Sequence, residues 1–195
     1  MAINEGNMVG ARTITERELR TALAICDTRK NSMRDRTLLQ FSVLAGLRAC
    51  ELAALTVAHA YAADGTPRSS CVLDHSETKG NRSRRVYINS KLQRVLRDYW
   101  AVVRDRAPDA ALFQTQHRRA FSANTMSQLF LDIYHSVGLR GCSSHSGRKT
   151  FITRLADQGV AVHLLAALAG HRHISTTQRY IAVNEALLSR AVELA

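Results

Sequence analysis

Apolar positions recur at helical spacing along most of this chain, with one short interruption of strand-like texture. Thr15 and Glu18 have the spacing of a capping box, which predicts a helix through about Asp27 with Leu19, Leu23 and Ile25 apolar. Residues 33–47 (MRDRTLLQFSVLAGL) are almost wholly apolar after Arg36, so this helix belongs in the core. A short helix, ACELAALTV, follows. The texture then changes: Ser70–Ser76 and Arg84–Asn89 carry β-branched and aromatic residues around the turn residues Thr78-Lys79-Gly80-Asn81. A hairpin is expected there, with Lys79 at or beside its turn. Ser90 is expected to cap a helix to about Arg106, with Leu92, Val95, Leu96, Tyr99 and Val103 on one face. After a loop over 107–121, helices are expected at about 123–137, 143–158, 160–169, 175–181 and 184–194. Residues 1–12 are expected to be a loose lead-in. The pattern has no internal repeat and defines a mainly α chain with one small antiparallel β-sheet (α+β).

Composition narrows the class. The 195 residues suit a single domain large enough to fold without disulfides or metal. The N-terminal stretch lacks a secretory pattern, and no apolar run has the ~18 residues a membrane span needs. A cytoplasmic protein with no membrane partner is expected. The four cysteines form no CxxC pair and are expected to be buried thiols. Lys and Arg number 27 against 16 acids, a formal charge of +11. Such an excess suits a polyanion, nucleic acid first among them. Between Ser76 and Arg106 nine bases face three acids, so the hairpin and its following helix are the expected phosphate footprint. Arg82, Arg84, Arg85 and Lys91 are the candidates there, and His117-Arg118-Arg119 forms a further basic cluster in the loop.

Candidate chemistry is scattered. His145 and Arg148 lie three apart on a predicted helix, which places them on one face in its first turn, with Ser143 or Ser144 as cap. Arg48, at the end of the apolar helix, must pair or bind an anion; Glu51 is a ready partner. Gly170-His171 marks a turn, and Tyr180 lies nine residues after this histidine. Taken together, two arginines, a lysine, two histidines and a tyrosine can serve phosphoryl transfer without metal or other cofactor. Arginines fork onto nonbridging oxygens, a phenol can be a covalent nucleophile, and histidine or lysine can move protons. The sequence holds no carboxylate cluster of the kind a two-metal nuclease uses.

These residues, in order, resemble the catalytic domain of the tyrosine recombinases, the phage integrase family. The resemblance runs from about Thr15 to Val183 and rests on AGLRACELAAL with Arg48, TKGNRSRRVYI with Lys79, and HSGRKTFITRLADQGV with AGHRHISTTQRY, which carry His145, Arg148, His171 and Tyr180. It implies the family's catalytic-domain fold over residues 13–183. It also implies that Arg48, Arg148 and His171 bind the scissile phosphate and His145 helps accept the tyrosine proton. Lys79 would protonate the 5′-hydroxyl leaving group, and Tyr180 would form a 3′-phosphotyrosyl link to double-stranded DNA.

Family members usually carry a preceding helical domain that completes a clamp on DNA, and no such N-terminal core-binding domain is expected among the 47 residues before Arg48. Ala169 stands where a leucine is usual. Residues 184–195 are expected to form a tail helix that packs on its own domain or, as the resemblance implies, docks on a neighbouring protomer in a DNA-bound tetramer, with an accessory DNA-bending protein as a further partner. Two other activities fit the same residues: a DNA-binding regulator without strand exchange, and a type IB-like topoisomerase that rejoins the original strand.

Overall fold

The computed structural model describes residues 11–74, 77, 83–181, 188–189 and 192–193. The chain forms α1 (Glu16–Asp27), α2 (Ser32–Ala45), α3 (Ala49–Ala54), α4 (Val57–Ala60), β1 (Ser70–Leu73), β2 (Arg84–Tyr87), α5 (Ser90–Val103), α6 (Ala123–Ser136), α7 (Ser146–Asp157), α8 (Val162–Ala169) and α9 (Ile174–Gln178). The two strands pair antiparallel, Ser70 opposite Tyr87 and Leu73 opposite Arg84. The mainly α architecture with one small sheet is therefore as the pattern predicts. The hairpin turn, Lys79 and Arg82 lie outside the described residues, as does most of the expected tail helix; of that helix, Leu188 and Val192 are exposed.

The central element is α2. Leu38, Leu39, Phe41 and Val43 are buried along it, and α1, α5 and α7 pack around it. Helix α5 runs antiparallel to α2. Asn89, before α5, reaches Leu44 O at one end, and Val102 shares a cleft with Met33 at the other. The rings of Phe41, Tyr99 and Phe113 meet between these helices, Phe113 lying 5.9 Å from Phe41 and 5.8 Å from Tyr99. The two ends of α2 are separate surfaces. Fourteen residues of helix hold them about 21 Å apart. No helix among the described residues is long and apolar enough to cross a membrane.

Several boundaries differ from the sequence expectation, each for a local reason. Asn89, not Ser90, caps α5, because its side-chain oxygen accepts from Leu92 N at 2.9 Å. The helix ends at Val103, short of Arg106, whose guanidinium instead donates to Ala111 O and Leu112 O in the following loop. ACELAALTV is divided between α3 and α4 by an extended residue, Leu55. The lead-in does not extend to residue 12: Arg12 forks onto Glu18 and donates to Arg140 O, tying this stretch to the loop after α6. That fork and the Thr15 capping bonds hold the Glu18 carboxyl at about 2. Three of the cysteines are buried thiols; Cys50 is only partly buried.

Candidate active site at the end of helix α2

A buried carboxylate organises the site. Glu51, in the first turn of α3, has no exposed surface. Its carboxylate accepts Arg48 N at 2.7 Å, the returning half of a capping box, and Arg48 Nη1 at 2.9 Å. From β2, Arg84 donates Nε at 3.1 Å and Nη2 at 2.9 Å to the two Glu51 oxygens. From α7, Arg148 Nη1 stands 3.9 Å away. Three guanidinium groups from three elements thus converge on one carboxylate. Burial pushes the Glu51 carboxyl up, but Arg84, the Arg48 backbone bond and Arg148 outweigh it, and the group stays ionised below the usual carboxylate range.

The arginines also grip the end of α8. Arg84 Nη1 donates to Leu168 O at 2.7 Å and Arg148 Nη2 to Ala169 O, carbonyls of the last turn that have no partner within the helix. Arg148 Nη1 donates to Gly46 O at 2.7 Å, the residue that ends α2 in a left-handed conformation. Gly170 follows α8 with φ 62°, and a Cβ there would stand 2.6 Å from Arg84 Cδ. Only glycine combines that backbone with so close an approach. The chain then turns, and His171 N closes on Ala166 O at 2.9 Å.

His171 and Tyr180 complete the group. Their rings are nearly parallel, 19° apart, with centroids at 5.9 Å. His171 Nδ1 lies 2.8 Å from Thr177 Oγ1 of α9. Burial, and then the charges of Arg148, Arg48 and Arg84, lower the imidazole to about 4, so it is neutral at pH 7. Arg148, 4% exposed, is lowered by the same two causes to about 9 and remains a cation. Arg48 has more access to solvent, and among the described residues its side chain bonds only through Nη1, so its remaining N–H groups can meet an anion. One carboxylate against three arginines leaves a surplus of two positive charges beside a phenol and a neutral imidazole.

The predicted residues fare differently. Arg48, Arg148, His171 and Tyr180 are brought together. His145 and Arg148 are divided by burial: His145 is exposed at the N-cap position of α7, whereas Arg148 is buried one turn later. Neither Ser143 nor Ser144 caps this helix; Ser143 N instead donates to Ser146 Oγ at 3.0 Å. Arg84, expected on the DNA backbone, turns inward and serves Glu51. Arg85 and Lys91 are exposed at the site's end of the molecule, Arg85 on the outer hairpin face with a bond to Ser70 Oγ. Arg118 and Arg119 are exposed too, but their loop packs beside Arg34, at the opposite end of α2. Sequence reasoning weighed Glu51 only as a partner for Arg48. Its three-residue spacing from Arg48 was the available signal; nothing marked Thr177.

Comparison with known proteins shows the family and the fold. The family model described as "Phage integrase family" matches residues 12–186, and the chain belongs to that family, the tyrosine recombinases. Among relatives, the tyrosine recombinase XerA of Pyrococcus horikoshii is 27% identical over 185 residues, covering 94% of this chain and 61% of that protein. The tyrosine recombinase XerD of Oceanobacillus iheyensis is 28% identical, covering 90% of this chain and 59% of its own length. The chain thus spans about three fifths of these relatives. Among solved structures, a XerA recombinase superposes with TM-score 0.75 at 18% identity over 99% of this chain and 66% of that one. XerH bound to difH DNA before cleavage gives 0.70 at 21% identity over 98% and 56%. The fold is that of tyrosine recombinase catalytic domains.

Proposed function

We propose that this chain is the catalytic part of a site-specific DNA recombinase that cuts and rejoins double-stranded DNA through a 3′-phosphotyrosyl intermediate. The observation that carries this reading is the set of three arginines on buried Glu51, with a surplus of two positive charges beside neutral His171 and the Tyr180 phenol. A phosphodiester brings one negative charge. As Tyr180 Oη bonds to phosphorus and the bond to O5′ breaks, charge gathers on the nonbridging oxygens, where fixed cations lower the barrier most. Arg48 and Arg148 fork onto those oxygens and His171 donates to one of them. The phenol proton passes towards His145, and Lys79 protonates the departing 5′-hydroxyl. A second DNA 5′-hydroxyl then attacks the phosphotyrosine and releases Tyr180. The ester conserves the bond energy, so no nucleotide cofactor enters the balance.

Arg85 and Lys91 extend the cationic surface beside the hairpin and, with Arg82, would hold phosphates flanking the cut; Arg118 and Arg119 would reach DNA only if it also passes the far end of α2. Action in the cytoplasm as a DNA-bound tetramer, with the tail after residue 183 docked on the next protomer and a DNA-bending accessory protein, completes the proposal. XerH, a structural neighbour, was solved on difH DNA before and after cleavage.

The test is a nicked suicide substrate carrying the candidate recombination site, analysed on a denaturing gel. Wild type is expected to give a covalent protein–DNA band and Tyr180→Phe none, with unchanged DNA affinity. DNA binding without any adduct would favour the regulator. Relaxation of a supercoiled plasmid without exchange between two sites would favour the topoisomerase.

A further inference from the structure

We propose that Thr177 is a positioning residue that sets the tautomer of His171, so that Nδ1 accepts a hydrogen bond and Nε2 carries the proton offered to the scissile phosphate. The inference rests on the strand-cleavage reading for its catalytic consequence, but its structural half stands alone.

A neutral imidazole has one donor and one acceptor nitrogen, and its partner decides which is which. Thr177 Oγ1 lies 2.8 Å from Nδ1, and the threonine is wholly buried. A buried hydroxyl is stabilised by placing its hydrogen on an acceptor. The usual acceptor within a helix is the carbonyl one turn back, and this protein shows that habit at Thr21, which bonds Arg17 O at 3.1 Å, and at Thr150, which bonds Ser146 O at 2.8 Å. Thr177 makes no such bond among the described residues. Its hydroxyl has His171 as its hydrogen-bond partner, so the threonine is the donor and Nδ1 the acceptor.

The rest of the surroundings agree. His171 Nδ1 faces α9, and the ring lies against Tyr180. Two arginines anchor the carbonyls of Leu168 and Ala169, and Gly170 fixes the turn, so the imidazole is held from its backbone side as well. The ring therefore has one edge that receives a hydrogen bond from Thr177, and the charges of Arg148, Arg48 and Arg84 act on it. A ring with the tautomer reversed would turn a lone pair towards the phosphate oxygens and repel them.

The first measurement needs no variant: imidazole 15N shifts of wild-type protein at pH 7, with His171 assigned by comparison with His171→Asn. A proton on Nε2 is expected, and a proton on Nδ1 overturns the proposal. The second compares Thr177→Val with Thr177→Ser in single-turnover adduct formation on the nicked substrate. Valine keeps the shape and removes the hydroxyl; adduct formation is expected to slow about tenfold or more at unchanged DNA affinity, with serine restoring it. Valine at the wild-type rate, or serine as slow as valine in a folded protein, overturns the catalytic role. Failure of the strand-cleavage reading is distinguishable, because wild type would then give no adduct while its 15N spectrum still reports the tautomer.

Discussion

At the N-terminal end of α2, Asp35 is 1% exposed and held by Arg29 and Arg34; beyond the C-terminal end, Glu51 is wholly buried and held by Arg48 and Arg84, with Arg148 close by. Both ends bury a carboxylate among arginines, and clefts of about 490 and 680 Å³ open at the Asp35 end. The proposed chemistry is nevertheless at the other end, and the difference lies in what the arginines have left over. Every nitrogen of Arg34 is engaged, with Asp35 or with Gln114 O, and its guanidinium lies 5.2 Å from the Phe121 ring centroid. Around Glu51 three cations share one anion, and among the described residues Arg48 donates from its side chain only through Nη1. A buried ion pair whose members satisfy each other is structure; one with spare charge and spare donors is a receptor for an anion.

The contrast can be broken most sharply on catalysis. Arg148→Ala is expected to slow adduct formation by about three orders of magnitude or more, on the scale of losing a preorganised charge at the reacting phosphate. Arg34→Ala should change the rate per bound complex by no more than about twofold, provided the protein is folded. An Arg34 effect as large as that of Arg148 would erase the distinction between the two ends.

Stability sharpens it next. Glu51→Ala leaves mutually repelling arginines without their carboxylate and should destabilise the fold by about 3–5 kcal/mol in urea denaturation. Asp35→Ala should lose about 2 kcal/mol, because Arg29 is near the surface and can move into water. Equal losses would mean that the charge surplus around Glu51 is not felt by the fold.

The smallest effect is a pH dependence confined to the Glu51 end. His171 titrates near 4 in the folded state against about 6.5 in an open chain. Between those values the unfolded chain binds a proton that the folded one refuses, so stability rises with pH across this window and is lost as pH falls from about 6.5 towards 4. Wild type should therefore lose more stability than His171→Asn between pH 7 and pH 5. Parallel losses would count against a neutral, enclosed imidazole.

Much of this was legible in the residues, and what was not has physical reasons. The apolar face of α5 and the core character of α2 follow from spacing alone, as does the capping box at Thr15. Helix starts were harder, because Asn89 and Ser90 are both good caps and only the backbone decides between them. Arg48, Arg148, His171 and Tyr180 were visible by type and order. Their gathering was not, since it depends on Glu51, a residue whose charge appears ordinary until three elements close on it. Arg84 was misplaced because one strand carries Arg84 and Arg85 side by side. The pleat sends one inward and the other outward, and the strand's register is a tertiary fact. Arg118 and Arg119 share the basic character of the hairpin, yet the length of α2 keeps them from it.

The seat of α7 on α2 carries one further consequence. At Gly147, next to Arg148, a side chain would collide with Ser42 of α2. The distance between the two helices is thus set by a missing methyl, and Arg148 reaches Gly46 O only because the helices are so near. The gauge of the reactive centre is cut in the interior of the protein, away from any surface that nucleic acid touches. On the proposed reading, exterior loops and the basic rim could be redesigned to address other DNA sites while that gauge is left alone, whereas a single carbon added at Gly147 is expected to detune the centre without altering where the protein lands.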